Sequence, residues 1–237
     1  HTNAGQSYDQ RNLEKPVYLT MQVVLDNGRD RVVNGWADPE DYPSTPEFEG
    51  QTRKSFLGQI MFDKNGRPIN PMGNTGINGR GWLGKWGVNL AADPVITRTN
   101  AETGGLEMLA IRRRDNGMWA IPGGMVDDAD SVSATLAKEF KEEAGIKIPV
   151  DFMNRAETIY QGYSDDPRNT NNAWIETDAR WKNLNKEIDI ENVIAQMEPQ
   201  AGDDAAQAKW QPLTEEFAEN TYASHPAILR EILRRAK

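Results

Sequence analysis

The chain has 237 residues, 36 acidic against 27 basic, and a formal net charge of −9 at pH 7, so it is one large domain or two small ones and needs no disulfide or metal staple to hold a core. That acidic balance argues against a nucleic-acid binder, which carries a basic face, and no apolar run approaches the ~18–20 residues that a membrane span requires. With no cysteine and only two histidines, His1 and His225, a thiolate nucleophile, a disulfide framework and the usual Cys/His zinc sites are excluded as well.

In chain order, residues 1–97 form a first part rich in Gly, Pro, Asn and Asp, and residues 98–237 form a second with tighter periodic patterning. No signal or transit peptide is visible and the chain starts at His1 rather than Met, which reads as an excised domain or a processed form. Within the first part, β-like runs at residues 17–25 and 60–62 are separated by turn clusters such as Asp38-Pro39 and Asn65-Gly66. The second part opens with a strand at 106–112, a turn at Asp115-Asn116-Gly117 and a short strand at 119–121. Beyond the breaker Pro122-Gly123-Gly124, residues 131–144 read as a helix. Ser131 is a suitable N-cap, Asp127, Asp128 and Asp130 suit the positive helix start, and Gly145 sits where a left-handed position favours glycine. Strands are expected at 157–161, 173–177 and 209–213, and a last helix after Pro226 carries the apolar stripe Ile228, Leu229, Ile232 and Leu233. The tryptophans Trp82, Trp86 and Trp119 are expected in the core. No internal repeat or low-complexity tract interrupts this pattern, and the class it predicts is α+β, a mixed sheet with at least two helices packed on it.

The helix at 131–144 carries the chemistry. Val132, Leu136, Phe140 and Ala144 recur every four residues and should face the core, while Glu139, Glu142 and Glu143 stand at i, i+3 and i+4. At roughly 100° per residue those three carboxylates share about a quarter-turn arc, where like charges repel and weaken a helix. Two readings of the cluster stand side by side: a solvated acidic face, or a set of oxygen ligands for a divalent cation beside phosphate oxygens. Without Cys and with so little His, any bound metal must take carboxylate and carbonyl oxygens, which suit Mg²⁺, Mn²⁺ or Ca²⁺.

The order of residues around the cluster separates the two readings. Gly124, five residues, Asp130, seven residues, then Lys138-Glu139-Phe140-Lys141-Glu142-Glu143-Ala144-Gly145-Ile146 resembles the Nudix box. That pattern asks for Gly, a Glu six positions on, and then Arg-Glu-apolar-x-Glu-Glu-x-Gly-apolar. Asp130 stands in the first Glu position and Lys138 in the Arg position. Both keep the charge, although Asp is shorter and Lys lacks the bidentate fork of Arg. The likeness continues through Asn70-Pro71-Met72-Gly73-Asn74-Thr75-Gly76, Gly79-Arg80-Gly81, residues 91–98, residues 119–127, Asp165-Asp166-Pro167-Arg168-Asn169-Thr170, Ala173-Trp174-Ile175-Glu176-Thr177, Gly202-Asp203-Asp204-Ala205 and Tyr222-Ala223-Ser224-His225. Over roughly residues 36–237 the chain is similar to the ADP-ribose pyrophosphatase branch, which includes the mitochondrial enzymes and the homologous C-terminal domain of melastatin-type cation channels.

The resemblance implies a Nudix α/β/α sandwich core with a mixed sheet at residues 98–237, preceded by a smaller β-rich N-terminal cap at 1–97, with ADP-ribose between them. It implies Mg²⁺-dependent hydrolysis of ADP-ribose to AMP and ribose 5-phosphate, with Mn²⁺ as a substitute metal. Glu139, Glu142, Glu143 and Gly124 would then hold metal, with the three Glu residues and Asp204 in the catalytic set. Arg80, Asp166, Arg168, Tyr222 and His225 would bind substrate, Arg168 through charge-assisted hydrogen bonds. Several of these positions keep a second reading: Asp165 to Asn169 as a surface turn, His225 as a helix cap beside Pro226, and Gly202 to Ala205 as an acidic turn. Gly79-Arg80-Gly81-Trp82-Leu83-Gly84 fits G-x-G-x-x-G, but loop precedes it and Gly87 and Pro94 follow, so a dinucleotide-binding turn is rejected in favour of a structured glycine-rich loop. At the level of the whole molecule the expectations are a cytosolic domain of a tetrameric channel or a mitochondrial enzyme, without nucleic acid and without membrane insertion. Two alternatives stay open: an ADP-ribose-sensing module that gates a channel with little or no catalysis, and a Nudix enzyme acting on other nucleoside diphosphate derivatives.

Overall fold

The computed structural model describes residues 54–83, 85–127, 130–184, 194, 198–201 and 205–237. The expected strand at 17–25, the Asp38-Pro39 turn, Gly84, Asp128 and Gly202-Asp203-Asp204 lie outside the described residues. The chain divides into two units, His1–Leu90 with Gln161–Thr177, and Ala91–Tyr160 with Asp178–Lys237.

In the first unit, β1 (Met61–Phe62) and β2 (Pro68–Ile69) pair antiparallel across the Asn65-Gly66 turn. Asp63 organises that turn: its Oδ1 accepts from the backbone N–H of Asn65 at 2.8 Å and of Arg67 at 2.9 Å, while Gly66 takes φ 76°, a left-handed value that costs glycine nothing. The following loop is latched to residues 169–172 by asparagine side chains. Asn70 Nδ2 donates to Tyr163 Oη at 3.0 Å and to the Thr170 carbonyl at 2.9 Å, and Gly79 N–H donates to Asn172 Oδ1 at 2.8 Å. Amide side chains thus do for this irregular segment what a ladder does for a strand. Among the described residues, Gly79-Arg80-Gly81 lies in turns with no strand immediately before it and no helix immediately after it, as expected. The apolar centre of the unit is Met72, Val88, Tyr163 and Trp174, with Leu57 and Ile60 against it. Trp86 is buried, but Trp82 is 55% exposed. The core expectation for Trp82 is therefore corrected: it sits on a turn with neighbours latched by backbone and amide bonds, which leaves its indole outside the apolar cluster.

The longer strands are β3 (Gly87–Thr99), β4 (Leu106–Arg113), β7 (Glu157–Tyr163), β8 (Ala173–Asn183) and β9 (Ala205–Pro212), with short β5 (Trp119–Ala120) and β6 (Gly124–Met125). Their order is β5-β4-β3-β8-β7, with β6 on β3 and β9 on β4. The chain crosses from one unit to the other inside β3, β7 and β8. The Asp115-Asn116-Gly117 turn forms as expected, with Gly117 at φ 70° and Met118 N–H on Asn116 Oδ1 at 2.9 Å.

Four helices are described: α1 (Val132–Ala144), α2 (Val150–Asn154), α3 (Glu215–Glu219) and α4 (His225–Arg235). None is long and apolar enough to cross a membrane. α1 has the expected bounds: Ser131 Oγ accepts from Ala134 N–H at 3.1 Å, and Gly145 closes the other end at φ 68° with its N–H on the Lys141 carbonyl. Leu136, Phe140 and Ala144 are fully buried; burying a Leu or Phe side chain contributes ~1.5–3 kcal/mol each. The main core of the second unit joins Val95, Met108, Ile121, Tyr160, Trp181, Ile228, Leu229 and Ile232, so the stripe of α4 faces inward as its spacing predicts. The fold class is α+β.

Candidate active site

The site in the second unit begins with the antiparallel pairing of Ala91 with Met125 and of Ala92 with Gly124. This register brings Asp93 beside Gly123. A Cβ at Gly123 would fall on the Asp93 carboxylate and 2.8 Å from the Ala92 carbonyl, and a Cβ at Gly124 would fall on the Glu139 carboxylate. The glycine pair is a close-approach position, with both residues making room for acidic groups.

α1 delivers those groups. Glu139 and Glu143 are half-buried and Glu142 is exposed. Gly123 N–H donates to Glu143 Oε2 at 2.9 Å. Burial pushes the Glu143 carboxyl up to about 8 from its ordinary value near 4.5; the Gly123 N–H opposes the rise, Glu139 and Asp93 add to it, and Arg113 opposes it. Crowded, desolvated carboxylates of this kind hold a proton until a cation replaces it.

Beneath the turn lies His225, 8% exposed, as the first residue of α4. Ile121 N–H donates to its Nδ1 at 3.1 Å, and its Nε2 stands 3.6 Å from Asp93 Oδ1. Tyr222 meets the His225 ring edge-on at 6.1 Å between centroids, and the Arg113 guanidinium stacks over Tyr222 at 4.3 Å. His225 thus opens α4 and also anchors the strand end that leads into Pro122-Gly123-Gly124. Asp93 and Arg113 are the site residues that sequence reasoning passed over. The signal for Asp93 is the pairing of β3 with β6, and that for Arg113 its place at the end of β4 over Tyr222, neither of which spacing alone reveals.

Among the expected residues, Glu139, Glu142, Glu143, Gly124, Tyr222 and His225 belong to the second unit, and Arg80, Asp166 and Arg168 to the first. Asp204 lies outside the described residues. Arg168 forms a fork on Asp166, Nε to Oδ1 at 2.8 Å and Nη2 to Oδ2 at 3.0 Å, and its own N–H caps Oδ1 at 2.9 Å. Arg80 is half-buried in the glycine-rich loop.

The donor set fits a hard divalent cation: carboxylates from one rigid helix, a glycine turn packed on Glu139, and a half-buried Glu143 whose proton a cation would replace. Among the described residues no three acidic or imidazole groups enclose a single point.

The sequence matches the NUDIX domain family over residues 89–232 and the NUDT9-like, N-terminal domain over residues 14–87. The chain belongs to the Nudix family, whose hydrolases generally use divalent metals such as Mg²⁺. It is 46% identical over 203 residues to a putative nudix hydrolase 6 of Caenorhabditis elegans, covering 80% of this chain and 75% of that protein. It is 38% identical over 226 residues to the mitochondrial ADP-ribose pyrophosphatase of Rattus norvegicus, covering 82% of this chain and 63% of the rat protein. A transient receptor potential cation channel subfamily M member-like 2 of Nematostella vectensis is 39% identical over 250 residues, covering 92% of this chain and 15% of the channel.

Proposed function

We propose that the chain hydrolyses the pyrophosphate bond of ADP-ribose with Mg²⁺, giving AMP and ribose 5-phosphate. The observation that carries this reading is the packing of two α1 carboxylates on the Gly123-Gly124 turn, Glu143 through the Gly123 N–H and Glu139 against Gly124. The choice of ADP-ribose among Nudix substrates is supported by the likeness to the rat pyrophosphatase across most of the chain.

Glu139, Glu142 and Glu143, with the Gly124 carbonyl, would hold Mg²⁺ or Mn²⁺, which when bound supplies charge neutralisation at the pyrophosphate and lowers the pKa of water. The chain's own work is positioning. Gly123 N–H orients the Glu143 carboxylate, and His225 and Asp93 fix the turn that carries that N–H. The attacking water gives its proton to a carboxylate of this set or to Asp204, oxygen bonds to phosphorus, and the bridging oxygen leaves with one product. Most of the rate enhancement is then positioning and electrostatics, as in other phosphoryl transfers. Asp166, Arg168, Arg80, Tyr222 and His225 are proposed to bind the nucleotide and ribose parts.

A panel of ADP-ribose, NAD, diadenosine phosphates and nucleotide sugars, assayed with Mg²⁺ and with chelator, tests this reading. The expected result is metal-dependent AMP release with ADP-ribose as the preferred substrate; preference for another member overturns it. A second reading rests on the match to a channel over 92% of this chain: an ADP-ribose-binding module that gates a channel with little catalysis. It predicts saturable ADP-ribose binding without AMP release.

A further inference from the structure

The hydrolytic reading leaves unused a cavity of about 410 Å³ built entirely from residues of the first unit. Its wall carries Arg67, which is only 4% exposed. The Arg67 backbone is consumed by the Asp63 turn, its guanidinium lies 5.6 Å from the centroid of the Trp86 ring, and its Nε finds no hydrogen-bond partner among the described residues. No ion pair answers its charge there either. A buried cation of this kind is costly, and a ring face offsets only about 0.5–2 kcal/mol of the cost.

Asn70, Asn171 and Asn172 in its wall already both donate and accept, but two others are committed through their oxygens alone. Asn74 Oδ1 accepts from Gly76 N–H at 2.8 Å, and Asn78 Oδ1 accepts from Asn171 Nδ2 at 3.0 Å. The Nδ2 groups of Asn74 and Asn78 make no hydrogen bond among the described residues. The cavity therefore presents spare N–H donors beside a fixed positive charge. Asp63 lines it too; its Oδ1 is satisfied by two backbone N–H groups, while its Oδ2 accepts nothing among the described residues. Donors around a cation select an oxyanion, and one spare carboxylate oxygen selects a hydroxyl on the same molecule. The volume is in the range that encloses a small metabolite.

We propose that this cavity binds a small hydroxylated oxyanion, a phosphate monoester or a hydroxycarboxylate, with its anionic oxygens on Arg67, Asn74 and Asn78 and a hydroxyl donated to Asp63. Isothermal titration of the full chain in chelator, with glycerol 3-phosphate and with glycerate as probes, tests it. One saturable site per chain is expected for at least one probe, and the probe that saturates identifies the anion. N78D keeps the oxygen that Asn171 needs and turns the spare donor into a negative acceptor, so it should weaken binding at least tenfold with an unchanged melting temperature. R67Q should abolish binding; should R67Q fail to fold, N78D decides alone. Absence of saturable binding by both probes, or N78D binding as tightly as wild type, overturns the proposal. The titration uses neither ADP-ribose nor a divalent cation, so its outcome is separate from that of the hydrolytic reading.

Discussion

The backbone N–H of Ile121 donates to Nδ1 of His225 at 3.1 Å, which ties the residue before Pro122-Gly123-Gly124 to the first residue of α4. An imidazole that accepts at Nδ1 carries its proton on Nε2, the atom nearest Asp93. H225A leaves a buried N–H without an acceptor, at a cost of ~1–3 kcal/mol. Scanning calorimetry should show a melting temperature lower by about 2–4 °C for each kcal/mol. H225N, whose side-chain oxygen can replace Nδ1, should recover most of the loss. Equal melting temperatures for H225A and wild type would contradict the anchoring role.

A methyl group at Gly124 would displace the Glu139 carboxylate. Because that carboxylate is the far end of a flexible side chain, G124A should fold with unchanged far-UV circular dichroism. Its apparent Mg²⁺ affinity in the hydrolysis assay should nevertheless fall at least tenfold, or ~1.4 kcal/mol. An unchanged affinity would remove Glu139 from the metal set.

Glu143, raised to about 8, sets a pH dependence. In chelator, the folded chain keeps a proton that the unfolded chain has lost above its ordinary value near 4.5. The stabilisation is therefore full below that value and is lost as pH rises through about 8, so the melting temperature should decline over that window. E143Q should flatten the decline. Cation binding must expel the same proton, so Mg²⁺ affinity should rise by up to about tenfold per pH unit below pH 8, with proton release measurable by calorimetry in buffers of different ionisation heat.

In the first unit, fully buried Glu176 accepts from Ser55 Oγ at 2.6 Å, Phe56 N–H at 2.7 Å and Trp174 Nε1 at 2.9 Å. Burial raises its pKa against these three donors. E176A orphans all three donors and should lower stability by ~3–5 kcal/mol, read as a shift of the urea midpoint. Hydrogen exchange should quicken first at residues 55–57.

α1 was legible from end to end because capping residue, four-residue apolar period and terminal glycine all agree over one local stretch. β3 was not. Its 13 residues lack alternation and contain Pro94, which argues against a strand. In the structure Pro94 falls between Ala91–Ala92, which pair with β6, and Thr97–Thr99, which pair with β4, and so lies outside both of those registers. Asp93 stayed hidden for the same reason, since its place beside Gly123 is a product of pairing between strands remote in sequence. α2 is a single short turn of five residues, below the length at which periodicity shows. The acidic trio, by contrast, lies within one local stretch of α1, where Glu139 and Glu143 are half-buried and Glu142 is exposed.

The central claim is that the carboxylates of α1 support hydrolysis of ADP-ribose. The most direct measurement is turnover of ADP-ribose by wild type, E142Q and E143Q at saturating Mg²⁺, paired with calorimetric binding of a non-hydrolysable ADP-ribose analogue. The account predicts that either substitution lowers kcat by at least about 100-fold, roughly 2.7 kcal/mol of transition-state stabilisation, while analogue binding changes less than about tenfold. Wild-type turnover in either variant would contradict it.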